Sequence, residues 1–164
     1  MSGALHASAV LVGEHGVLLR GAAGAGKSLL ALTLIERGRC GGRFAALVCD
    51  DRAWWEVWHG RLIVRGAPGF DGVCERRALG LVRAPCEREA VVRLLVDLAP
   101  RAMAPSRMPE GDDLYDEIGG VRLARLRLDM NPGLDAAASA VLAGLDMIVN
   151  DLWRKTVNDD AVFA

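Results

Sequence analysis

The eight residues Gly21-Ala22-Ala23-Gly24-Ala25-Gly26-Lys27-Ser28 fit the spacing G-x-x-x-x-G-K-[ST] of a phosphate-binding loop, or P-loop. Small side chains let backbone N–H groups close on phosphate oxygens, and a helix starting at Lys27 adds the partial positive charge of its N-terminus. In such a loop the lysine reaches the β- and γ-phosphates, and the Ser28 hydroxyl can ligate Mg²⁺. The pattern predicts ATP with Mg²⁺ as ligand and phosphoryl transfer as the chemistry. A second group, Asp50-Asp51, closes an apolar run. Carboxylates at the C-terminal end of a strand beside a P-loop face the nucleotide, so one can orient the metal while the other takes a proton from an attacking hydroxyl. Paired aspartates also favour ordinary polar turns, so both readings of Asp50-Asp51 stand at this point. Glu75-Arg76-Arg77 offers a carboxylate to a metal and a guanidinium to a transferred phosphate, or is simply a charged loop. His6, taken alone, is a surface or strand-edge histidine.

These residues need a strand before the loop, a helix after it and a second strand to carry the acids. Ala7–Val12 and Val17–Arg20 read as strands joined by Gly13-Glu14-His15-Gly16, a hairpin connection, and the second strand runs straight into Gly21. Leu29, Leu30, Leu32, Leu34 and Ile35 cover much of a buried helix over Lys27–Arg37, with Gly38 suited to a left-handed C-terminal cap. Phe44–Cys49 is an apolar strand that delivers Asp50-Asp51, so strand, loop, helix and strand form one βαβ unit.

Beyond it, Trp54–Trp58 and Arg61–Arg65 predict a hairpin around His59-Gly60, and Gly66-Ala67-Pro68-Gly69 breaks the pattern before Glu75. Three tryptophans on one short strand must point to both faces, placing at least one in the core. Strands are expected at Leu79–Arg83, Ala90–Leu98 and Val121–Leu128. In the last of these, Arg122, Arg125 and Arg127 alternate with apolar residues as on a half-solvated strand, or one that receives a protein partner. Pro100–Gly120, with three prolines and many charges, reads as a loop able to cover the site. Leu134–Trp153 repeats apolar residues at three- and four-residue intervals and predicts a closing helix.

The 164 residues suit a single domain over 1–164, in which about 70% of the unfolded chain's surface can be buried. With 20 basic against 21 acidic residues, nothing points to nucleic acid. Cys40, Cys49, Cys74 and Cys86 lack metal spacing and read as small core residues or thiols. No apolar run reaches about 18 residues, so no membrane span is expected, and with no signal peptide ahead of the first strand the expected location is the cytoplasm.

The ordered set His6, the P-loop, Leu47-Val48-Cys49-Asp50-Asp51 and Glu75-Arg76-Arg77-Ala78-Leu79-Gly80 resembles the catalytic domain of HPr kinase/phosphorylase. In that family a histidine precedes the P-loop, a strand ends in L-V-A-D-D, and an E-x-R-G-L-G signature follows. The resemblance implies an α/β domain with a mixed sheet and a phosphoenolpyruvate carboxykinase-like fold. It implies an ATP-dependent serine kinase acting on HPr or a paralogue, with a reverse phosphorolysis that uses inorganic phosphate and yields pyrophosphate, and assembly into a hexamer. By resemblance, Asp50 is the base and Asp51 orients His6. Lys27 binds phosphate, Ser28 with Glu75 holds Mg²⁺, and Arg77 belongs to a loop closing on the reacting groups.

The length agrees with the short alphaproteobacterial form. Three departures stand out: a longer turn at Cys40–Ala45, Ala78 in place of the signature glycine, and Arg125–Pro132 in place of the V-R-P-G-R-N stretch linked to phosphorolysis. Arg107 is a candidate for the family's second catalytic arginine. The altered C-terminal stretch and the lack of a secure match for that arginine favour the kinase direction over the phosphorylase one. A small-molecule P-loop kinase and a non-catalytic ATP-binding regulator are the alternatives; the former usually has an arginine-rich lid, and Pro100–Gly120 holds only Arg101 and Arg107.

Overall fold

Strands β2 (Ala7–Val12) and β3 (His15–Gly21) pair antiparallel across a turn at Gly13-Glu14, with Ala7 opposite Arg20 and Val12 opposite His15. The computed structural model containing them describes residues 1–69, 72–76, 79–99 and 111–153. From β3 the chain passes through the P-loop into helix α1 (Lys27–Cys40) and then strand β4 (Ala45–Cys49). The expected β-α-β unit is present, but its two strands are not neighbours: β2 lies between β3 and β4, antiparallel to both. That insertion places His6 and Ser8 between the P-loop and Asp50.

The remaining strands are β1 (Ser2–Leu5), β5 (Ala53–Trp58), β6 (Arg61–Arg65), β7 (Val73–Arg76), β8 (Gly80–Arg83), β9 (Glu89–Ala99), β10 (Tyr115–Ile118) and β11 (Val121–Asp129). Among the described residues the main sheet runs β1-β5-β6-β9-β3-β2-β4, with β11 also on β9 and β10 on β11, while β7 and β8 form a separate hairpin. The long strand β9 organises this mixed sheet. It runs parallel to β3, takes β6 antiparallel at Glu89–Val91, and pairs with β11 in parallel from Leu94 to Ala99.

Alternation along the strands feeds two cores. Val17, Leu19, Leu94, Val96 and Leu98 face α1 and the closing helix α2 (Leu134–Val149), which supplies Ala138, Val141 and Leu145. Leu18, Val92, Leu95, Leu62, Val64 and Leu123 fill the opposite face, where the sheet curls over itself. Leu94, Leu95 and Val96 are fully buried on alternate sides, so the middle of β9 is covered on both faces, while Glu89, Arg93 and Asp97 interrupt its apolar run.

Several expectations are corrected. Gly38 is not a C-terminal cap: α1 continues to Cys40, and Gly38 packs where an added Cβ would come 3.0 Å from that of Ala45. Helix α1 is not buried all round, because Lys27, Leu30, Ala31, Leu34, Ile35 and Gly38 form one stripe and Leu29 is exposed. Within the presumed loop Pro100–Gly120, Gly111–Leu114 is a 3₁₀ turn and Tyr115–Ile118 is strand β10. Gly119 and Gly120, with φ of 60° and 81°, supply the two left-handed positions that a tight hairpin to β11 requires. Residues 100–110, including Arg101 and Arg107, lie outside the described residues. The closing helix ends at Val149 rather than Trp153.

Candidate phosphate-binding site

At the end of β3, Gly21, Gly24 and Gly26 have φ of 154°, 77° and 99°, values that favour glycine over any residue with a Cβ. Gly21 also lies where a Cβ would come 3.1 Å from both the Cβ and the carbonyl oxygen of Leu98. The first turn of α1 carries no acidic residue, so its N-terminal dipole is open to an anion. Lys27, only 4% exposed, points back into the loop. Its ammonium has three donors and three acceptors: the carbonyls of Gly21 (3.0 Å) and Ala22 (3.1 Å), and His6 Nε2 (3.0 Å).

That last contact fixes the histidine. Since Lys27 can only donate, His6 Nε2 accepts, and the ring proton sits on Nδ1. Nδ1 lies 3.0 Å from the Asp51 carbonyl oxygen and 3.3 Å from Asp51 Oδ1, so this proton is held by Asp51. Asp51 itself has φ 65°, a left-handed conformation that aspartate tolerates better than most residues. The turn leaves its carboxylate exposed beside His6, while the carboxylate of Asp50 points inward.

Asp50 Oδ1 accepts two hydroxyl hydrogen bonds, from Ser28 (2.8 Å) and Ser8 (2.6 Å), and Oδ2 faces the backbone N–H of Glu75 at 3.4 Å. The site thus joins β2, the P-loop, β4 and the β7–β8 hairpin. Ser8 was missed by sequence reasoning. It is fully buried, and the available signal was a lone polar residue inside the apolar strand Ala7–Val12. Strand β7 was also missed, although it carries Glu75 to the edge of the site.

Of the residues singled out in the sequence, the structure brings together His6, Lys27, Ser28, Asp50, Asp51 and the P-loop glycines and alanines. The Glu75 backbone reaches this group, and its side chain is exposed. Arg77 and Ala78 lie outside the described residues.

Among the described residues no three His, Cys, Asp or Glu side chains gather into a metal cage. The serine hydroxyl and carboxylate of the Ser28–Asp50 pair are nevertheless the hard oxygen donors that suit Mg²⁺, an ion usually held by one or two protein ligands together with phosphates and waters.

Comparison with known proteins narrows the reading. No family model matches the chain. An HPr kinase/phosphorylase from Malacoplasma penetrans (strain HF-2) is 27% identical over 175 residues, covering 95% of this chain; the chain spans 56% of that relative's length. The solved structure of the HPr(Ser) kinase/phosphatase from Coxiella burnetii superposes with a TM-score of 0.74 at 23% identity, covering 88% of this chain and 98% of the other. Over most of its length the chain resembles HPr kinase proteins in sequence and in fold. Its mixed α/β architecture, with a curled sheet and few helices, is therefore shared with a solved HPr(Ser) kinase fold. No described helix is long and apolar enough to cross a membrane.

A second polar cluster adjoins the candidate phosphate-binding site, on the sheet face opposite the helices. Arg20, the last residue before the P-loop, donates to both oxygens of Asp97 (2.7 and 2.9 Å) and to Asp116 (2.5 Å), and Arg125 donates to Asp97 at 2.6 Å. The arginines of β11 thus turn onto the protein itself, Arg122 stacking over Tyr115 at 3.9 Å.

Partial burial would raise the Asp116 pKa, but Arg20 and the Glu117 N–H outweigh it and hold the carboxyl below its usual value. A carboxyl whose folded pKa is depressed stabilises the fold above the unfolded value and loses that contribution as pH falls through the folded one. The Asp116 contribution is therefore expected to be complete above about pH 5 and to fade below about pH 4. Asp116→Asn should flatten that part of the acid denaturation curve; identical curves for variant and wild type would contradict it.

Proposed function

We propose that the protein is an ATP-dependent protein-serine kinase acting on HPr or a similar phosphocarrier, with Mg²⁺ as cofactor. The observation that carries this reading is the position of Asp50 beside Ser28 at 2.8 Å, within the same cluster as Lys27 and His6.

In this reading the backbone N–H groups of Gly21–Gly26 and the α1 N-terminus bind the phosphates, and Lys27 exchanges one of its three acceptors for a phosphoryl oxygen. Ser28 and Glu75 would hold Mg²⁺, which when bound neutralises charge on the β- and γ-phosphates. Asp50 accepts the proton of the incoming seryl hydroxyl as the γ-phosphoryl group passes to it. Its Oδ1 is already fixed by two hydroxyl donors, so the carboxylate is oriented beforehand, with lone pairs left on Oδ2. Asp51 holds the His6 tautomer, His6 in turn supports Lys27, and Arg77 closes on the reacting groups. The same family likeness extends to reverse phosphorolysis, which consumes phosphate and releases pyrophosphate, and to a homo-oligomer, with a hexamer as the expected assembly.

The test is transfer from labelled ATP to purified HPr with Mg²⁺, followed by addition of inorganic phosphate to the product. Acid-stable label on a serine is the expected result, and pyrophosphate release in the second step would add the reverse reaction. ATP binding without label on HPr would reject the substrate, and absence of ATP binding would reject the nucleotide reading altogether.

A further inference from the structure

The cluster around Asp97 plays no part in the chemistry above, yet it grips the strand from which the P-loop emerges. We infer that Asp97 is a positioning residue for the phosphate loop, acting through Arg20 and Arg125; the nucleotide part of its test rests on the ATP-binding reading.

Arg20 and Gly21 are consecutive, and the Gly21 carbonyl is one of the three acceptors of Lys27. Asp97 holds Arg20 with a two-point carboxylate contact at 2.7 and 2.9 Å, a geometry that fixes the orientation of the guanidinium as well as its distance. On the next residue pair, Gly21 lies opposite Leu98, against which an added Cβ would be crowded. The end of β3 is therefore located by Asp97 through a side chain and by Leu98 through close backbone packing.

The same carboxylate takes the Arg125 Nε–H at 2.6 Å. Arg125 lies on β11, and Met130, one residue past its end, would stand 3.6 Å from a Cβ at Gly26. One carboxylate thus ties together the strand that opens the P-loop and the strand whose extension borders its last glycine. Both guanidiniums converge on Asp97, so removing its charge leaves two cations facing each other with Asp116 as the remaining partner of Arg20. Relaxation of that repulsion frees the Arg20 side chain, and with it the end of β3 that leads into the loop. The Arg43–Asp146 pair, at 2.8 Å, joins the chain after α1 to α2 and has no such connection.

The experiment compares Asp97→Asn, Asp97→Glu and the control Asp146→Asn. Amide hydrogen exchange over Gly21–Gly26 is expected to quicken about tenfold in Asp97→Asn, to be partly restored in Asp97→Glu, and to stay at the wild-type rate in Asp146→Asn. A fluorescent ATP analogue with Mg²⁺ should bind about tenfold more weakly to Asp97→Asn, with KM for ATP raised and kcat at saturation unchanged. Unchanged exchange in the loop overturns the inference, whether or not nucleotide binds. Equal loosening of the loop in Asp97→Asn and Asp146→Asn also overturns it, since that is the mark of general destabilisation. Failure of the wild type to bind the analogue counts against the nucleotide reading, and the exchange data then decide on Asp97 alone.

Discussion

Asp50→Asn is expected to lower phosphoryl transfer to HPr by about 10²- to 10⁴-fold, the range lost when a general base is removed. The substitution isolates the chemistry because an asparagine oxygen can still accept from Ser8 and Ser28, whose hydroxyls lie 2.6 and 2.8 Å from Oδ1. The fold around the site should therefore hold, and what disappears is the ability to take a proton. KM for ATP should stay within about threefold of wild type, as for a group that acts only in the transition state. Stopped-time assays with labelled ATP, alongside titration of a fluorescent analogue, separate the two quantities. Wild-type transfer by the variant would remove Asp50 from the role of base. A parallel loss of Mg²⁺-dependent ATP binding would instead place Asp50 on the metal.

Lys27→Ala should be nearly as severe, with transfer reduced by about 10²- to 10³-fold, the usual loss for one preorganised charge-stabilising donor. Here ATP binding should fall too, since the ammonium lies at the base of the loop that receives the phosphates. The structure adds a second effect. Without Lys27 the carbonyls of Gly21 and Ala22 and the Nε2 of His6 lose their common donor, so the tautomer of His6 is no longer enforced. Lys27→Arg should not rescue activity, because a planar guanidinium cannot aim three donors at acceptors arranged around a point. Transfer within threefold of wild type in Lys27→Ala, measured as above, would count against any phosphate-binding role for this lysine.

Where function lies close to local sequence, the chain was readable. A fixed spacing between an apolar strand and an apolar helix located the P-loop, and an apolar run ending in two aspartates placed Asp50 near it. Pairing between distant strands was less accessible. Nothing local says that β2 slides between β3 and β4, and so nothing local made Ser8 a partner of Asp50. Short strands were also lost: Val73–Arg76 and Tyr115–Ile118 are each four residues long, among glycines, prolines and charges. Gly38 misled for a physical reason, since glycine serves close packing as well as left-handed caps, and only the approach of β4 shows which is needed. The arginines of β11 read as half-solvated alternation, or as receiving a partner, because the acid that Arg125 meets, Asp97, lies 28 residues away in sequence.

The parallel pairing of β3 with β9 also bears on the order in which the molecule assembles. Arg20 and Asp97 are 77 residues apart in sequence, and closing such a loop costs more entropy than forming the neighbouring β2–β3 hairpin. During synthesis His6, the P-loop and Asp50 are all translated before β9 exists. At that stage one edge of β3 has no strand beside it, and its buried valine and leucines are an invitation to mispairing. A chain released early would carry every element of the phosphate signature, yet lack the floor that makes it rigid. The geometry of the phosphate loop is thus a late property of this fold, conferred by a strand that contributes no residue to the P-loop.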